Sequence, residues 1–294
     1  MKHSLRVTIW LVIIFFFTQL VGLLIISQNI DFNQSVEEGK ITFEELPFDM
    51  ERPPIAEQTS FLYLISAILI ATVLVLVLMR FRKVRLWKFW FFLSVGACIT
   101  IALVKTVGEN IALLIGFGLG YWKVFKPNVV IHNLTELLIY GGLAVIFVPI
   151  MNVFAAIAML LVISVYDMIA VWQSKHMIKL AEFQKESKVF AGLNIPYKLG
   201  KIGKKVKGAK QVKVKSAILG GGDIGFPLIF AGVVLKHIAL DYTFGVALLK
   251  VLIISLCATI ALFLLLFYAK KDRYYPAMPF ITAGCLIGYS ILLL

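Results

Sequence analysis

Two aspartates lie where aspartate is costly. Asp167 belongs to SVYDMIAVW, residues 164–172, and Asp223 follows three glycines in GGGDIGFP, residues 220–227; both stretches sit in long apolar runs. An aspartate at mid-membrane costs ~2.5–3.5 kcal/mol on insertion scales, and a helical glycine about 1 kcal/mol relative to alanine. Fold stability does not account for that combination. Two carboxyls brought close together cannot both ionise easily, so one keeps a proton while the other is charged. Such a pair can activate water. The charged carboxyl takes a proton from it, and the protonated one hydrogen-bonds the carbonyl under attack. Glycines at 220–222 would let an extended peptide backbone approach the carboxyls. The chemistry expected is peptide hydrolysis by an aspartic acid–base pair, without metal or organic cofactor.

Whether the carboxyls meet depends on the segments that carry them. Apolar runs bounded by charged residues, Pro or Gly predict an all-α polytopic membrane protein, one domain over residues 1–294. Its nine spans are about 5–27, 60–79, 86–104, 107–122, 129–149, 151–172, 216–236, 243–268 and 276–294. Leu5–Ser27 follows Lys2, His3 and Arg6 as a signal peptide would. It is too long for one, and no small-residue cleavage site follows, so it reads as a retained first span.

Charge sets the direction. Residues 28–59 hold eight acids against Lys40 and Arg52, and belong outside. RFRKVRLWK at 80–88, Lys123 with Lys126, the segment 173–215, and Lys270, Lys271 and Arg273 make every connection after an even-numbered span basic. The N-terminus is therefore expected in the cytosol and the C-terminus outside. On that path Asp167 falls about five residues, and Asp223 about seven, from the cytosolic ends of their spans, roughly 8–11 Å below the inner surface. They share a depth that cytosolic water can reach.

Composition narrows the field. Of 294 residues 61% are hydrophobic and 15% charged, against about 25% charged in soluble domains. The net charge of +13 does not indicate nucleic acid, because twelve lysines crowd between 175 and 215, where they fix topology and meet anionic lipid headgroups. Cys98, Cys257 and Cys285 lie in apolar runs without a C-x-x-C pair, which argues against a disulfide framework or a zinc site. No histidine stands in H-E-x-x-H and no serine in G-x-S-x-G, so zinc and serine hydrolysis are unsupported.

Tyr166-Asp167 in the sixth span, Gly220-Gly221-Gly222-Asp223 opening the seventh and Pro276-Ala277-Met278-Pro279 opening the ninth resemble the YD, GxGD and PAL motifs of the presenilin and signal peptide peptidase superfamily. The resemblance runs the length of the chain, with the motifs in order and a long cytosolic connection after the sixth span. It implies an intramembrane aspartic endopeptidase that cleaves transmembrane segments of other proteins, with Asp167 and Asp223 as the catalytic pair. Tyr166, the three glycines and Pro276, Ala277, Met278 and Pro279 would shape the site and help hold substrate. The expected orientation is presenilin-like, opposite to that of signal peptide peptidases, as in a microbial, archaeal homologue of the cell membrane. Met278 stands where the family usually has leucine, a volume-conserving exchange. The connection after the sixth span is also shorter than in animal presenilins.

Other readings compete. A prepilin-type peptidase shares a GxGD aspartate but would lack the proline-rich opening of a ninth span. A proton-coupled transporter would use the same buried acids, yet the paired broken helices of repeated halves are missing from the pattern. KKDRYYPAMPF also admits a plainer view, with Pro276 in a helix's first turn. Lys105 and Glu109 are spaced to pair with each other, Glu136 reads as a buried hydrogen-bonded carboxyl, and Lys250 as snorkelling or paired. Lys236, His237 and Asp241 fall in a connection where charge is cheap. QVKVK, residues 211–215, alternates Val212 and Val214 with lysines, a modest strand signal set against a solvated basic linker. Residues around 210–216 are expected to be mobile or unpaired in the free enzyme and to become a strand, added to the edge of an unwound substrate, when one binds.

The topology is open to a direct check. Single cysteines at Glu44 and Lys205, in a background without the native cysteines, are expected to label from opposite sides of sealed vesicles, with Glu44 outside. Labelling of both from one side overturns the span count.

Overall fold

A backbone in hydrocarbon has only its own polar groups as partners, and helix is the consequence for long apolar sequence. The computed structural model describes residues 4–81, 83–173, 189–196, 216–270 and 275–294. α1 (Leu5–Gln28) leads into a small polar cap of β1 (Ile30–Asp31), α2 (Phe32–Glu38) and β2 (Thr42–Phe43). Then come α3 (Ser60–Arg80), α4 (Val84–Val107), α5 (Glu109–Phe125), α6 (Val129–Phe147) and α7 (Val153–Met168). β3 (Gly192–Pro196) and β4 (Ser216–Gly220) precede α8 (Gly221–Ile238), α9 (Phe244–Tyr268) and α10 (Met278–Leu293). Among the described residues seven helices are long and apolar enough to cross a membrane, α7 being counted with its π-turn Ile169–Gln173. α5, with 17 residues, and α10, with 16, are shorter.

The fold is all-helical in class, as expected, with two short antiparallel pairs added, β1 with β2 and β3 with β4. One expectation needs correction: the apolar run from Ser216 is not a single helix. Its first five residues form β4, with Ser216 opposite Pro196 and Gly220 opposite Gly192, and α8 begins only at Gly221. Ala217 and Leu219 are buried while Ile218 is exposed, a period of two that an all-apolar string conceals. Of the segment 210–216 only Ser216 lies within the described residues; QVKVK and Lys205 lie outside them.

α8 is the most enclosed of the long helices, packed by α1, α6, α7, α9 and α10; α3 is the least enclosed. Ile224, Leu228, Phe230 and Val234 of α8 are fully buried. Apolar burial does little to hold helices together in lipid, where close backbone approach at small residues matters more. Gly116 and Gly120 bring α5 against Gly96 of α4, and Gly284 and Gly288 bring α10 against Cys257 and Ile254 of α9.

Polar groups lace the cap and the helix ends. Lys105 pairs with Glu44, not with Glu109, whose Oε1 instead accepts the Phe48 N–H at 3.3 Å. Lys236 belongs to the last turn of α8, not to a free connection. Its ammonium donates to Glu57 at 2.7 Å and to the carbonyls of Pro149 and Met151 at 2.9 and 3.1 Å. That ties α8 to the tight α6–α7 turn and to the approach to α3. Lys250 sits 4.3 Å from the centre of the Tyr242 ring, a cation–π contact.

A β-carbon at Gly288 would lie 2.6 Å from Ile254 Cα, backbone that cannot step aside. Alanine normally favours a helix by about 1 kcal/mol over glycine. Gly288→Ala is nonetheless expected to destabilise by about 1–3 kcal/mol, as overpacking does. Thermal unfolding in detergent measures the sign.

Candidate active site

α7 ends by presenting Asp167 and α8 begins by presenting Asp223, and the two helices pack on each other and on α10. Asp167 is 5% exposed and Asp223 half-buried. They are near enough for the charge of Asp167 to act on Asp223. The structure thus brings together the two acids whose equal depth the sequence predicts.

Asp167 Oδ2 accepts the Met278 N–H at 3.1 Å, with Ala277 next to it at the helix start. This is an N–H group that a helix start leaves unpaired, so α10 offers its N-terminus to the acid. Further along, the hydroxyls of Ser164 and Thr282 are 2.8 Å apart, lacing α7 to α10. Met278 is 2% exposed, and Pro276 is buried just before the helix. Pro279, rather than Pro276, occupies the first turn, where its missing N–H has no helical acceptor to disappoint. Tyr166 is half-buried beside Asp167.

The three glycines do three different things. Gly220 ends β4 and caps α8, and the Asp223 side chain, at the third helical position, turns back beside it, its Oδ2 3.2 Å from where a Gly220 β-carbon would stand. Gly221 packs against Tyr140 of α6. A β-carbon there would lie 2.7 Å from the Tyr140 hydroxyl oxygen. Gly222 is the exposed one, with the Phe226 ring 3.1 Å from where its β-carbon would stand.

Pro227, inside α8, has no N–H to give the carbonyl of Asp223. The next carbonyl, that of Ile224, accepts a bond from Gln19 of α1 at 2.9 Å. Gln19, Tyr140, Ser164 and Thr282 escape sequence reasoning, since their partners are distant along the chain and their one signal is polarity within an apolar run. Glu136 is the buried, hydrogen-bonded carboxyl expected, but its partner is Lys123. That lysine is buried in the last turn of α5, not in the connection after it.

Pro227→Ala would supply the missing N–H. Stability is expected to rise by about 0.5–1.5 kcal/mol, the net worth of one hydrogen bond. Turnover is expected to fall as the first turn of α8 loses its freedom. Melting and initial-rate measurements on the same preparation test both signs.

The profile of the signal-peptide peptidase, presenilin aspartyl protease family matches residues 21–294. Among solved structures the chain is similar to a presenilin family intramembrane aspartate protease in a C222 crystal, with TM-score 0.63 and 18% identity over 97% of this chain and 98% of that one. A P2 crystal structure of a presenilin family intramembrane aspartate protease gives TM-score 0.61 and 17% identity over 96% of each chain. At such identity the likeness speaks for the fold. No curated protein matches the chain.

Proposed function

Since the chain belongs to the signal-peptide peptidase and presenilin family of aspartyl proteases, and is thereby an aspartic-type endopeptidase, we propose that Asp167 and Asp223 hydrolyse peptide bonds within transmembrane segments of other membrane proteins. The observation that carries this reading is the junction of α7, α8 and α10, where one acid ends a helix, the other begins one, and a third helix start donates to the first. The charged member of the pair takes a proton from water, and the protonated member hydrogen-bonds the scissile carbonyl. Both must share one proton, so neither acts alone.

A helical substrate hides its carbonyls in its own hydrogen bonds and has to be extended first. Gly222 gives an extended backbone access, and the edge of β4 away from β3 supplies partners for it. In this reading α5 and α10 join the seven longer helices as spans, giving nine. The charge pattern then puts the N-terminus in the cytosol, the C-terminus outside, and the lysines of 173–215 against the inner lipid surface of the cell membrane. Pro276, Ala277, Met278 and Pro279 hold Asp167 and border the substrate.

Purified enzyme in liposomes with a single-span substrate tests the pair. Asp167→Ala and Asp223→Ala are each expected to lower cleavage by 10²–10⁴-fold or more, the scale of general acid–base catalysis. Folding should be retained, because removing a membrane-buried acid lifts a burial cost. Ordinary turnover by either variant would sink the assignment.

A further inference from the structure

A second set of buried charges lies beside the aspartates and has no part in the reaction as described. His132, Glu136 and Tyr140 recur at four-residue intervals, one stripe along α6. Lys123 reaches them from α5. Its ammonium lies 2.5 Å from Glu136 Oε1, 3.1 Å from Thr135 Oγ1 and 3.2 Å from His132 Nδ1, and both ionic side chains are 1% exposed. Glu136 Oε2 accepts the hydroxyl of Tyr140. Buried charges persist only when fully partnered, and this pair is.

The set touches the catalytic region at two places. An ammonium can only donate, so His132 Nδ1 accepts from Lys123 and the ring proton is on Nε2. Nε2 donates to the Gly192 carbonyl at 2.7 Å, at the first residue of β3. Asn133 exchanges a pair of hydrogen bonds with Asn194, at 2.9 and 3.0 Å. At the other end the Tyr140 ring lies against the first turn of α8. A β-carbon at Gly221 would be 2.7 Å from its hydroxyl oxygen and 3.3 Å from Cε1. One hub therefore grips both the sheet and the turn that carries Asp223.

We propose that Lys123, Glu136 and Tyr140 are positioning residues for hydrolysis, fixing the β3–β4 sheet and Asp223 in one frame so that the strand edge and the acid keep their mutual placement. The proposal rests on the function argued above. It also gives Gly221 its reason in this chain: the space a side chain would fill is held by the Tyr140 hydroxyl.

The test is kinetic, in liposomes, with wild type and Asp223→Ala as controls. Tyr140→Phe is expected to lower kcat about ten- to a hundredfold, the scale for small misplacements, with KM little changed. Gly221→Ala is expected to be impaired by collision, and Gly221→Ala with Tyr140→Phe to be more active than Gly221→Ala alone, because the colliding oxygen is gone. A Tyr140 that only stabilised the fold would make the double variant the worst of the three. Should Tyr140→Phe not fold, Lys123→Met with Glu136→Gln removes both charges together, and the same fall in kcat at constant KM is expected. Wild-type kcat in Tyr140→Phe or in that pair, or a double variant no more active than Gly221→Ala, overturns the proposal. The controls keep the two readings apart. An active wild type with a dead Asp223→Ala sustains the protease reading whichever way the Tyr140 variants behave, and an active Asp223→Ala overturns the protease reading itself.

Discussion

Every ionisable group inside a bilayer must find in protein what it loses in water, and the rest of this structure is arranged around meeting that demand. Asp167 is met by the Met278 N–H opening α10, and Asp223 lies folded back beside Gly220, where β4 ends. Both places are where regular structure stops. That accounts for the two acids lying where three helix ends meet, rather than midway along any helix. Breaks expose backbone donors, and backbone donors are what a carboxylate in hydrocarbon requires. The prolines and glycines that looked like defects in apolar runs are the means of making those breaks.

The same demand explains the economy of polar residues elsewhere. Lys123 and Glu136 answer each other across α5 and α6, while Lys236 answers two carbonyls left over by the α6–α7 turn. Apolar contact then fills the remaining space, most completely around α8. Small residues do what a hydrophobic driving force cannot do in lipid, drawing α5 to α4 and α10 to α9 until backbone meets backbone.

What the sequence disclosed follows from where information resides. Asp167 and Asp223 could be picked out because the penalty of an acid in an apolar run is local, whereas the depth reckoned for Asp223 counted residues 216–220 as helix, and they form β4. Tyr140 could not be picked out, because a tyrosine in a membrane helix is ordinary until the glycine opposite is known. Lys123 lies in the last turn of α5, buried, and not in the connection that follows it. Its charge is visible in the sequence, but its partner lies thirteen residues on, in the next helix. β4 was taken for the start of a span because Ser216–Gly220 is uniformly apolar, and its burial alternation arises only from pairing with β3. Gln19 and Thr282 looked like incidental polar residues, and only packing gives them carbonyls and hydroxyls to meet.

The Lys236 staple has a mechanical side. It clamps α8, the α6–α7 turn and the approach to α3 at the end of the bundle remote from the aspartates. Helices pinned at one end can part only by pivoting there, like the blades of shears. α7 spans 16 residues from that pivot to its acid-bearing end, a lever arm of about 24 Å at the usual helical rise. A tilt of about 5° would shift the carboxyl by about 2 Å on that arm, enough to pass between a closed and a parted pair. Side-chain repacking near the pivot, far from any chemistry, would thus be magnified at the acids.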